Sequence, residues 1–400
     1  MRPRTALVLA LVLVGAAGGA AFFALGGDRG GSLSADWVSE TSRPDQVNHH
    51  PVVAERIDGE AYIAAPVSTV SPDEADCALV QLDGQGTVRW RYAIADSACA
   101  THGIGDPVFA DYDGDGELEV LASTTENRLY GFDARTGDVE LTFPLASFGY
   151  SQPAVVTVPE HRALVADFYG NVFSVGPNGS AAWNYSMGTV VVSDLLVEDV
   201  VGDSTPEIAV GGSKRLALLT PEGTTVWTRN VSAQFLVSAR VDGESTLFAS
   251  KGETVRALDG NGSVLWRERT GVRPALHGVV DADGDEAPEV FVSVRGHVLA
   301  LDARTGDTEW KTTVVPDTLV FAPVVGDLDA DGDAEVVATS NDGTVWVLDA
   351  NSGDVLASYN RDVKIWTHAT VSDYDGDGRD EVLVVFGDGR VVSLSYRAAE

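Results

Sequence analysis

The feature that most constrains the fold is a hairpin unit that recurs seven times along the chain. Each copy has an apolar strand, a turn that ends in glycine, and a characteristic residue four positions after that glycine. The copies lie at residues 82–90, 132–141, 175–183, 219–227, 258–266, 301–310 and 348–357. The characteristic position holds Trp90, Leu141, Trp183, Trp227, Trp266, Trp310 and Ala357. Five tryptophans in seven equivalent positions, out of eight in the whole chain, indicate a structural repeat.

Two further alternating apolar strands lie between successive hairpins, as in Pro107 to Ala110 and Leu118 to Ala122. A period of about 40 to 50 residues with four strands is the size of one propeller blade. A stack of separate small sheets is the alternative, but it would expose strand edges that a closed ring removes. The last strand, Arg390 to Tyr396, has no hairpin partner after it, whereas Leu33 to Glu40 precedes the first repeat. We therefore predict an all-β, eight-bladed β-propeller of four-stranded antiparallel blades, closed by the N-terminal strand.

The stretch Ala300 to Trp310 resembles the tryptophan-docking motif of the quinoprotein-like propellers, which are built from pyrroloquinoline quinone repeats. The resemblance extends over roughly residues 33 to 397, and it is weaker at Asn171 to Trp183 and Lys214 to Trp227. It implies that the tryptophan of one blade docks against the next blade and links the ring together.

Four loops share one spacing, with carboxylates at positions 1, 3, 5 and 9. Alternate side chains of a curled backbone converge on one point, and a hard cation prefers six to eight oxygen ligands. The spacing therefore predicts calcium sites, in which position 7 contributes its backbone carbonyl; solvated acidic turns are the alternative. The candidate ligands are Asp111, Asp113, Asp115, Glu117 and Glu119; Asp281, Asp283, Asp285, Ala287 and Glu289; Asp327, Asp329, Asp331, Asp333 and Glu335; and Asp373, Asp375, Asp377, Arg379 and Glu381.

These loops resemble the FG-GAP repeats of integrin α-subunits, in which a calcium loop joins the first and second strands of a blade. They differ from EF-hands because apolar β-type sequence flanks them and the twelfth-position glutamate is absent. A fifth copy, Asp199 to Glu207, has Val201 at position 3 and is expected to bind weakly.

The N-terminal residues predict export. An apolar run from Ala6 to Leu25 follows Arg2 and Arg4 and is long enough to span a bilayer as a helix. We expect residues 1–27 to anchor the propeller, residues 28–400, outside the cell membrane; a cleaved signal peptide and secretion are the alternative. Four Asn-x-Ser sequons favour export and lie at Asn178, Asn184, Asn230 and Asn261.

The two cysteines and the charge bear on the compartment and the partners. Cys77 and Cys99 could pair in an oxidising compartment, or could be two separate thiols. The formal net charge of -33, from 60 acidic and 27 basic residues, repels nucleic acid and resembles the composition of proteins from salt-loving archaea. We therefore expect no nucleic-acid partner.

Catalytic motifs such as GxSxG, a P-loop or HExxH are missing from the sequence. Four histidines, His50, His102, His277 and His368, lie near the starts of inner strands; they could gather at one mouth of the channel to bind a metal or another ligand, or be scattered packing residues.

We expect a non-enzymatic binding or assembly scaffold, a monomeric ring whose partner is an extracellular protein or glycan. The lipoprotein propeller that helps assemble outer-membrane barrels is comparable. A quinone-dependent oxidoreductase or a polysaccharide lyase is the alternative. The quinone enzymes carry adjacent cysteines over their cofactor, whereas Cys77 and Cys99 are 22 residues apart.

Overall fold

The structure, a computed structural model, describes residues 30–43, 50–71, 74–100 and 102–399. The predicted anchor, residues 1–27 with the run from Ala6 to Leu25, lies outside these residues. Within the described ranges, no helix is long and apolar enough to cross a membrane.

The described residues form eight four-stranded antiparallel sheets, which confirms the predicted eight-bladed propeller. In chain order, a single strand comes first, β1 (Ser32–Val38). Blade 1 contains β2 (Val53–Ile57), β3 (Glu60–Ser71), β4 (Glu74–Leu82) and β5 (Val88–Ala93). Blade 2 contains β6 (Val108–Ala110), β7 (Glu119–Thr124), β8 (Arg128–Asp133) and β9 (Val139–Pro144). Blade 3 contains β10 (Ala154–Val156), β11 (Arg162–Ala166), β12 (Asn171–Val175) and β13 (Ala181–Ser186).

The remaining blades follow the same order from the innermost strand outward. Blade 4 contains β14 (Val191–Glu198), β15 (Glu207–Gly212), β16 (Leu216–Leu219) and β17 (Thr225–Arg229). Blade 5 contains β18 (Phe235–Val241), β19 (Glu244–Lys251), β20 (Thr254–Leu258) and β21 (Val264–Glu268). Blade 6 contains β22 (Ala275–Val280), β23 (Glu289–Val294), β24 (His297–Asp302) and β25 (Thr308–Thr313). Blade 7 contains β26 (Val324–Gly326), β27 (Glu335–Thr339), β28 (Thr344–Asp349) and β29 (Val355–Asn360). Blade 8 contains β30 (Thr370–Ser372), β31 (Glu381–Val385) and β32 (Val391–Arg397), with β1 as its outer strand.

Ring closure occurs in blade 8, as the sequence predicted. Strand β1 pairs antiparallel with β32, so that Leu33 lies opposite Tyr396 and Val38 opposite Val392. The N-terminal strand therefore covers the edge that β32 would otherwise expose.

Burial follows the position of a strand within its blade. Second strands such as β7, β23 and β31 are buried along their whole length, because both faces of a blade pack against neighbouring blades. Outer strands such as β25 alternate between exposed and half-buried residues. The hydrophobic core thus lies between blades, as where Phe291 of blade 6 packs with Val336 and Leu348 of blade 7.

Tryptophans connect adjacent blades in the manner that the docking motif implied. The indole nitrogen of Trp266 in blade 5 donates to the carbonyl of Ala303 in blade 6, at 2.8 Å. Its ring lies over Gly306, where an added Cβ would be 2.6 Å from the indole. Glycine is therefore required at this hairpin turn both for its φ of +78° and for the close approach. The corresponding tryptophans of other blades are Trp90, Trp183, Trp227 and Trp310. The ring of Trp37 in blade 8 lies over Gly86 of blade 1 in the same way, but its N–H donates to the Tyr374 hydroxyl of its own blade.

Cys77 in β4 and Cys99, in the segment after β5, form a disulfide with a Cα–Cα distance of 5.4 Å. Of the two possibilities that the sequence left open, the structure has the paired one.

Candidate metal loops and channel mouth

The acidic loops, residues 111–119, 281–289, 327–335 and 373–381, connect the first and second strands of blades 2, 6, 7 and 8. In each loop the position-9 glutamate is the first residue of the second strand. It therefore enters the packed layer between blades and is buried, with Glu119 at 2% and Glu335 at 5% exposure. The aspartates at positions 1, 3 and 5 precede this layer and remain half-buried or exposed.

Each loop curls its backbone around its own carboxylates. In the first loop, Asp111 accepts hydrogen bonds from the N–H groups of Gly114, at 2.6 Å, and Gly116, at 3.2 Å. Asp113 accepts from the N–H of Asp115, which in turn accepts from Glu117 at 2.8 Å. These local bonds point the side chains inward along one turn of the chain.

The curled backbone brings carboxylate oxygens within 4.8 Å of one another in all four acidic loops. The sets are Asp111, Asp113 and Asp115; Asp281, Asp283 and Asp285; Asp283, Glu289 and Glu309; Asp327, Asp329 and Glu335; and Asp373, Asp375 and Glu381. Among the described residues these sets leave out Glu119, Asp331 and Asp377. The position-7 side chains also lie outside them, and their N–H groups donate to the position-5 carboxylates: Glu117, Ala287, Asp333 and Arg379.

Several oxygens in these loops are buried and lack a hydrogen-bond partner within the described structure. They belong to Glu289, Asp327, Asp329 and Glu381. A buried carboxylate oxygen without a partner is costly, by about 1 to 3 kcal/mol or more for a charged group. A bound cation would satisfy these oxygens, so they point to a ligand independently of the sequence spacing.

The pKa values of the buried glutamates show how strongly negative charge is concentrated here. Burial, reinforced by neighbouring aspartates, raises the pKa of Glu119 and Glu381 to about 8. Burial raises the pKa of Glu289 and Glu335 to about 7, reinforced by Glu309 and then aspartates for Glu289 and by aspartates for Glu335. A divalent cation at this point would favour the ionised forms, because opposite charge lowers a carboxyl pKa.

Sequence reasoning missed one candidate ligand, Glu309 on the outer strand β25, which reaches Asp283 and Glu289. Glu140 has the equivalent place on β9. Burial and then the charges of Asp133 and Asp113 raise its pKa. In the sequence, each of these glutamates comes immediately before the characteristic residue of its hairpin, Trp310 or Leu141. This position lies outside the acidic loop motif.

The fifth loop copy, residues 199–207, has a similar backbone but a smaller cluster. Asp199 accepts from the N–H groups of Gly202 and Asp203, and Glu207 accepts from those of Val200 and Val201. Within the described part of the chain, no set of three carboxylates forms at this loop.

A cavity of about 460 Å³ lies where the inner strands of all eight blades begin. In blade 4 the lining extends along β14 as far as Glu198, and none of the described lining residues belongs to the four acidic loops. Its lining includes one residue or more from each blade: Pro51, Asp106, Tyr150, Asp194, Phe235, His277, Phe321 and Trp366.

The four histidines that the sequence singled out lie at this mouth as two pairs. His50 Nδ1 is 2.7 Å from Asp106 Oδ1, and His102 Nδ1 is 3.2 Å from His50 Nε2. The rings of His277 and His368 are 5.0 Å apart. No group of three metal-ligating atoms forms among them within the described residues.

Of the two aspartates at the mouth, Asp194 carries the negative charge near pH 7. Burial raises the pKa of Asp106 to about 8, and burial together with Asp106 raises that of Asp194 to about 6. Burial lowers the pKa of His50 to about 4 and that of His368 to about 3. Both imidazoles are therefore neutral near pH 7, whereas Asp194 is largely ionised and accepts from the Gln152 N–H at 2.8 Å.

Comparison with known proteins identifies related folds. Residues 169–318 and 252–399 match the family model described as outer membrane protein assembly factor BamB, so more than half of the chain is matched. BamB from Moraxella catarrhalis is 19% identical, with 92% of this chain and 99% of that chain covered at a TM-score of 0.64. The V. cholerae biofilm matrix protein Bap1 is 14% identical, with 93% and 92% covered at 0.66. The computationally designed Ika8 protein is 12% identical, with 90% and 99% covered at 0.64. No curated protein matches the chain.

Proposed function

Because the chain belongs to the family of outer membrane protein assembly factor BamB, we propose that it is a non-enzymatic, protein-binding scaffold whose acidic loops bind calcium. The family name supports an assembly role, and a closed ring with eight blade tips offers broad binding surfaces. We further propose that the ring is monomeric and exported. Its partner is an extracellular protein or glycan, and nucleic acid is disfavoured by the charge of -33.

Calcium binding rests on one observation above the others. Acidic loops of three different blades contain buried carboxylate oxygens without partners, and in all four loops three or more carboxylates converge within 4.8 Å. Calcium fits better than a transition metal because all the donors are oxygens. Calcium loops with oxygen donors are also the feature that FG-GAP repeats share with these loops.

Export and anchoring are supported by the apolar run from Ala6 to Leu25 and by the Cys77–Cys99 disulfide, since such bonds persist in oxidising compartments. We propose that residues 1–27 anchor the propeller, residues 28–400, at the cell membrane. The acidic surface would suit concentrated salt, as in proteins of salt-loving archaea.

A propeller enzyme is the less supported alternative. The disulfide joins Cys77 and Cys99, 22 residues apart, whereas the quinone enzymes have adjacent cysteines over the cofactor. A quinone-dependent oxidoreductase or a polysaccharide lyase would convert a bound partner, and a scaffold would not.

Calorimetric titration of the chelated full-length protein with calcium, at constant ionic strength, tests the metal sites. Asp115→Asn and Asp203→Asn form a matched pair, because both residues occupy position 5 and accept a hydrogen bond from position 7, at 2.8 and 2.9 Å. Asp115→Asn removes one ligand charge and is expected to weaken one site, and Asp203→Asn is expected to leave calcium binding unchanged. An absence of calcium binding, or equal binding by Asp115→Asn and the parent, would show that the loops are solvated turns.

The scaffold role is tested by affinity purification of the full-length protein from native membranes, in calcium and salt. We expect a protein or glycan to co-purify in fixed stoichiometry and to remain chemically unchanged. The matched control lacks Ser32–Val38, so that its ring is open. A partner that is converted during incubation would favour the enzyme alternative, and the absence of any partner would contradict the scaffold.

A further inference from the structure

The cavity at the channel mouth has a composition that the scaffold proposal does not use. It combines three acidic residues, Asp106, Asp194 and Glu198, with aromatic side chains from four different blades: Tyr150, Phe235, Phe321 and Trp366. Its described lining includes no residue of the four acidic loops, so the cavity is separate from the proposed calcium sites.

Asp106 and Asp194 are held in place by contacts that leave them facing the cavity. Asp194 Oδ1 accepts from the backbone N–H of Gln152 at 2.8 Å, which fixes the side chain of β14 toward the channel. Asp106 is bonded to the buried His50 at 2.7 Å, and His50 also contacts His102. These contacts come from a backbone N–H in the case of Asp194 and from an imidazole in the case of Asp106.

Positive charge is scarce along this cavity. Arg273 is the one arginine or lysine among its described lining residues, and it is exposed at the rim beside a second, smaller cavity of about 260 Å³. Lys364 lies next to the lining, with its Nζ 5.3 Å from the centre of the Trp366 ring. Burial lowers the pKa of His277, against the opposing charge of Asp194. Burial lowers the pKa of His368 to about 3, so His368 adds no cation near neutral pH. Asp194, the carboxylate that is ionised near pH 7, therefore lies in an enclosed space where it attracts a cation from solution.

The aromatic side chains that line the cavity favour an organic cation over a metal ion. A hydrated metal ion gains little from Phe235, Phe321 and Trp366, and the described residues at this mouth form no group of three metal-ligating atoms. An ammonium group on an apolar stem gains both the carboxylate contact and the aromatic faces, which bind cations and hydrocarbon alike.

We propose that the channel mouth is a binding site for an alkylammonium ion, with Asp194 as its main counter-ion and the aromatic side chains around its stem. The volume of about 460 Å³ accommodates a stem of several carbons. The same chemistry is presented by a free amine or by a lysine side chain of a peptide. This site is independent of the proposed scaffold role.

The test uses the full-length protein in constant calcium and compares hexylammonium with 1-hexanol by calorimetric titration. The two probes share the apolar stem and differ in charge. We expect hexylammonium to bind at least tenfold more tightly than hexanol. Equal affinities would overturn the proposal, because the cavity would then select only for apolar surface.

Asp194→Asn keeps an oxygen for the Gln152 N–H and removes the charge; we expect at least a tenfold loss of hexylammonium affinity. Glu222→Gln is the matched control, since it removes one exposed carboxylate of the same blade outside the cavity. Unchanged binding by Asp194→Asn, with a parent-like melting curve, would refute the role of Asp194. The comparison of the two probes on the parent stands even if the variant fails to fold.

The peptide acetyl-Gly-Gly-Lys-Gly-Gly-amide separates the two sources of the ammonium group. Binding of the peptide would assign the site to a lysine of a partner chain, and binding of hexylammonium alone would assign it to a free amine. If neither probe binds, the proposal is wrong.

Discussion

The docking of Trp266 on Gly306 allows a quantitative test of how the blades are held together. Gly306→Ala would place a methyl group 2.6 Å from the indole, in a residue whose φ is +78°. Gly243→Ala is the matched control, because Gly243 has a φ of +84° and nothing within 4 Å of an added Cβ. The two substitutions therefore share the backbone cost and differ in the contact with tryptophan.

The left-handed conformation costs an L-residue roughly 1 to 2 kcal/mol, so the free energy of unfolding of both variants should fall by about that much. Overpacking adds typically 1 to 3 kcal/mol, and only Gly306→Ala should lose this further amount. Moving the indole away would also stretch its 2.8 Å hydrogen bond to Ala303. We therefore expect the unfolding equilibrium constant of Gly306→Ala to exceed that of Gly243→Ala by a factor of about 5 to 150, from the same 1 to 3 kcal/mol.

Urea denaturation followed by tryptophan fluorescence measures the two free energies of unfolding. The slopes of the transitions must agree with that of the parent, so that the difference in midpoints reports stability. If Gly306→Ala and Gly243→Ala lose the same free energy, the tryptophan contact does not stabilise the boundary between blades 5 and 6.

Three further predictions concern closure, the disulfide and acid stability. Deleting Ser32–Val38 should lower the thermal midpoint of the whole ring, because β32 loses its partner strand; an unchanged midpoint would contradict this. Reducing the Cys77–Cys99 bond should lower the free energy of unfolding by about 3 kcal/mol, given the loop of 22 residues, as measured by urea denaturation with and without dithiothreitol. Burial would raise the pKa of Asp388, but Arg361 and then Arg390 hold it below its usual value. The ionised Asp388 side chain therefore contributes fully to the free energy of unfolding above the ordinary aspartate pKa of about 3.9. This contribution is lost as the pH falls through the lower pKa that Asp388 has in the folded protein. Melting curves across that window should depend less on pH in Asp388→Asn than in the parent.

Much of the fold could be predicted because the repeat constrains it at several levels. The tryptophan in five of the seven hairpins marks an outer strand, and the unpaired Arg390 to Tyr396 requires a partner that Leu33 to Glu40 supplies. Strand bounds such as Ser32–Val38 differ by a residue or two, since hydrogen bonding rather than pattern sets them.

The sites were less predictable, because they depend on groups that are distant in sequence. Glu309 reaches the loop of its own blade from an outer strand 20 residues after Glu289, and a loop motif cannot include it. The aromatic lining of the cavity comes from single residues near the start of different inner strands, such as Phe235 and Trp366. No spacing relates such residues, so the closed ring is needed to show that they meet.

Backbone contacts join the acidic loops to the tryptophan docking. In blade 6 the carbonyl of Pro288, at position 8 of its loop, accepts from the N–H of Ala303, and the carbonyl of Ala303 accepts from Trp266 of blade 5. The same two hydrogen bonds occur in two other blades. In blade 2 they link Leu118 to Ala134 and Ala134 to Trp90, and in blade 7 they link Ala334 to Ala350 and Ala350 to Trp310. A cation that fixes such a loop would therefore also fix the residue on which the preceding blade docks. Because three acidic loops share this arrangement, occupied loops would stabilise the boundaries between blades as well as the blades themselves.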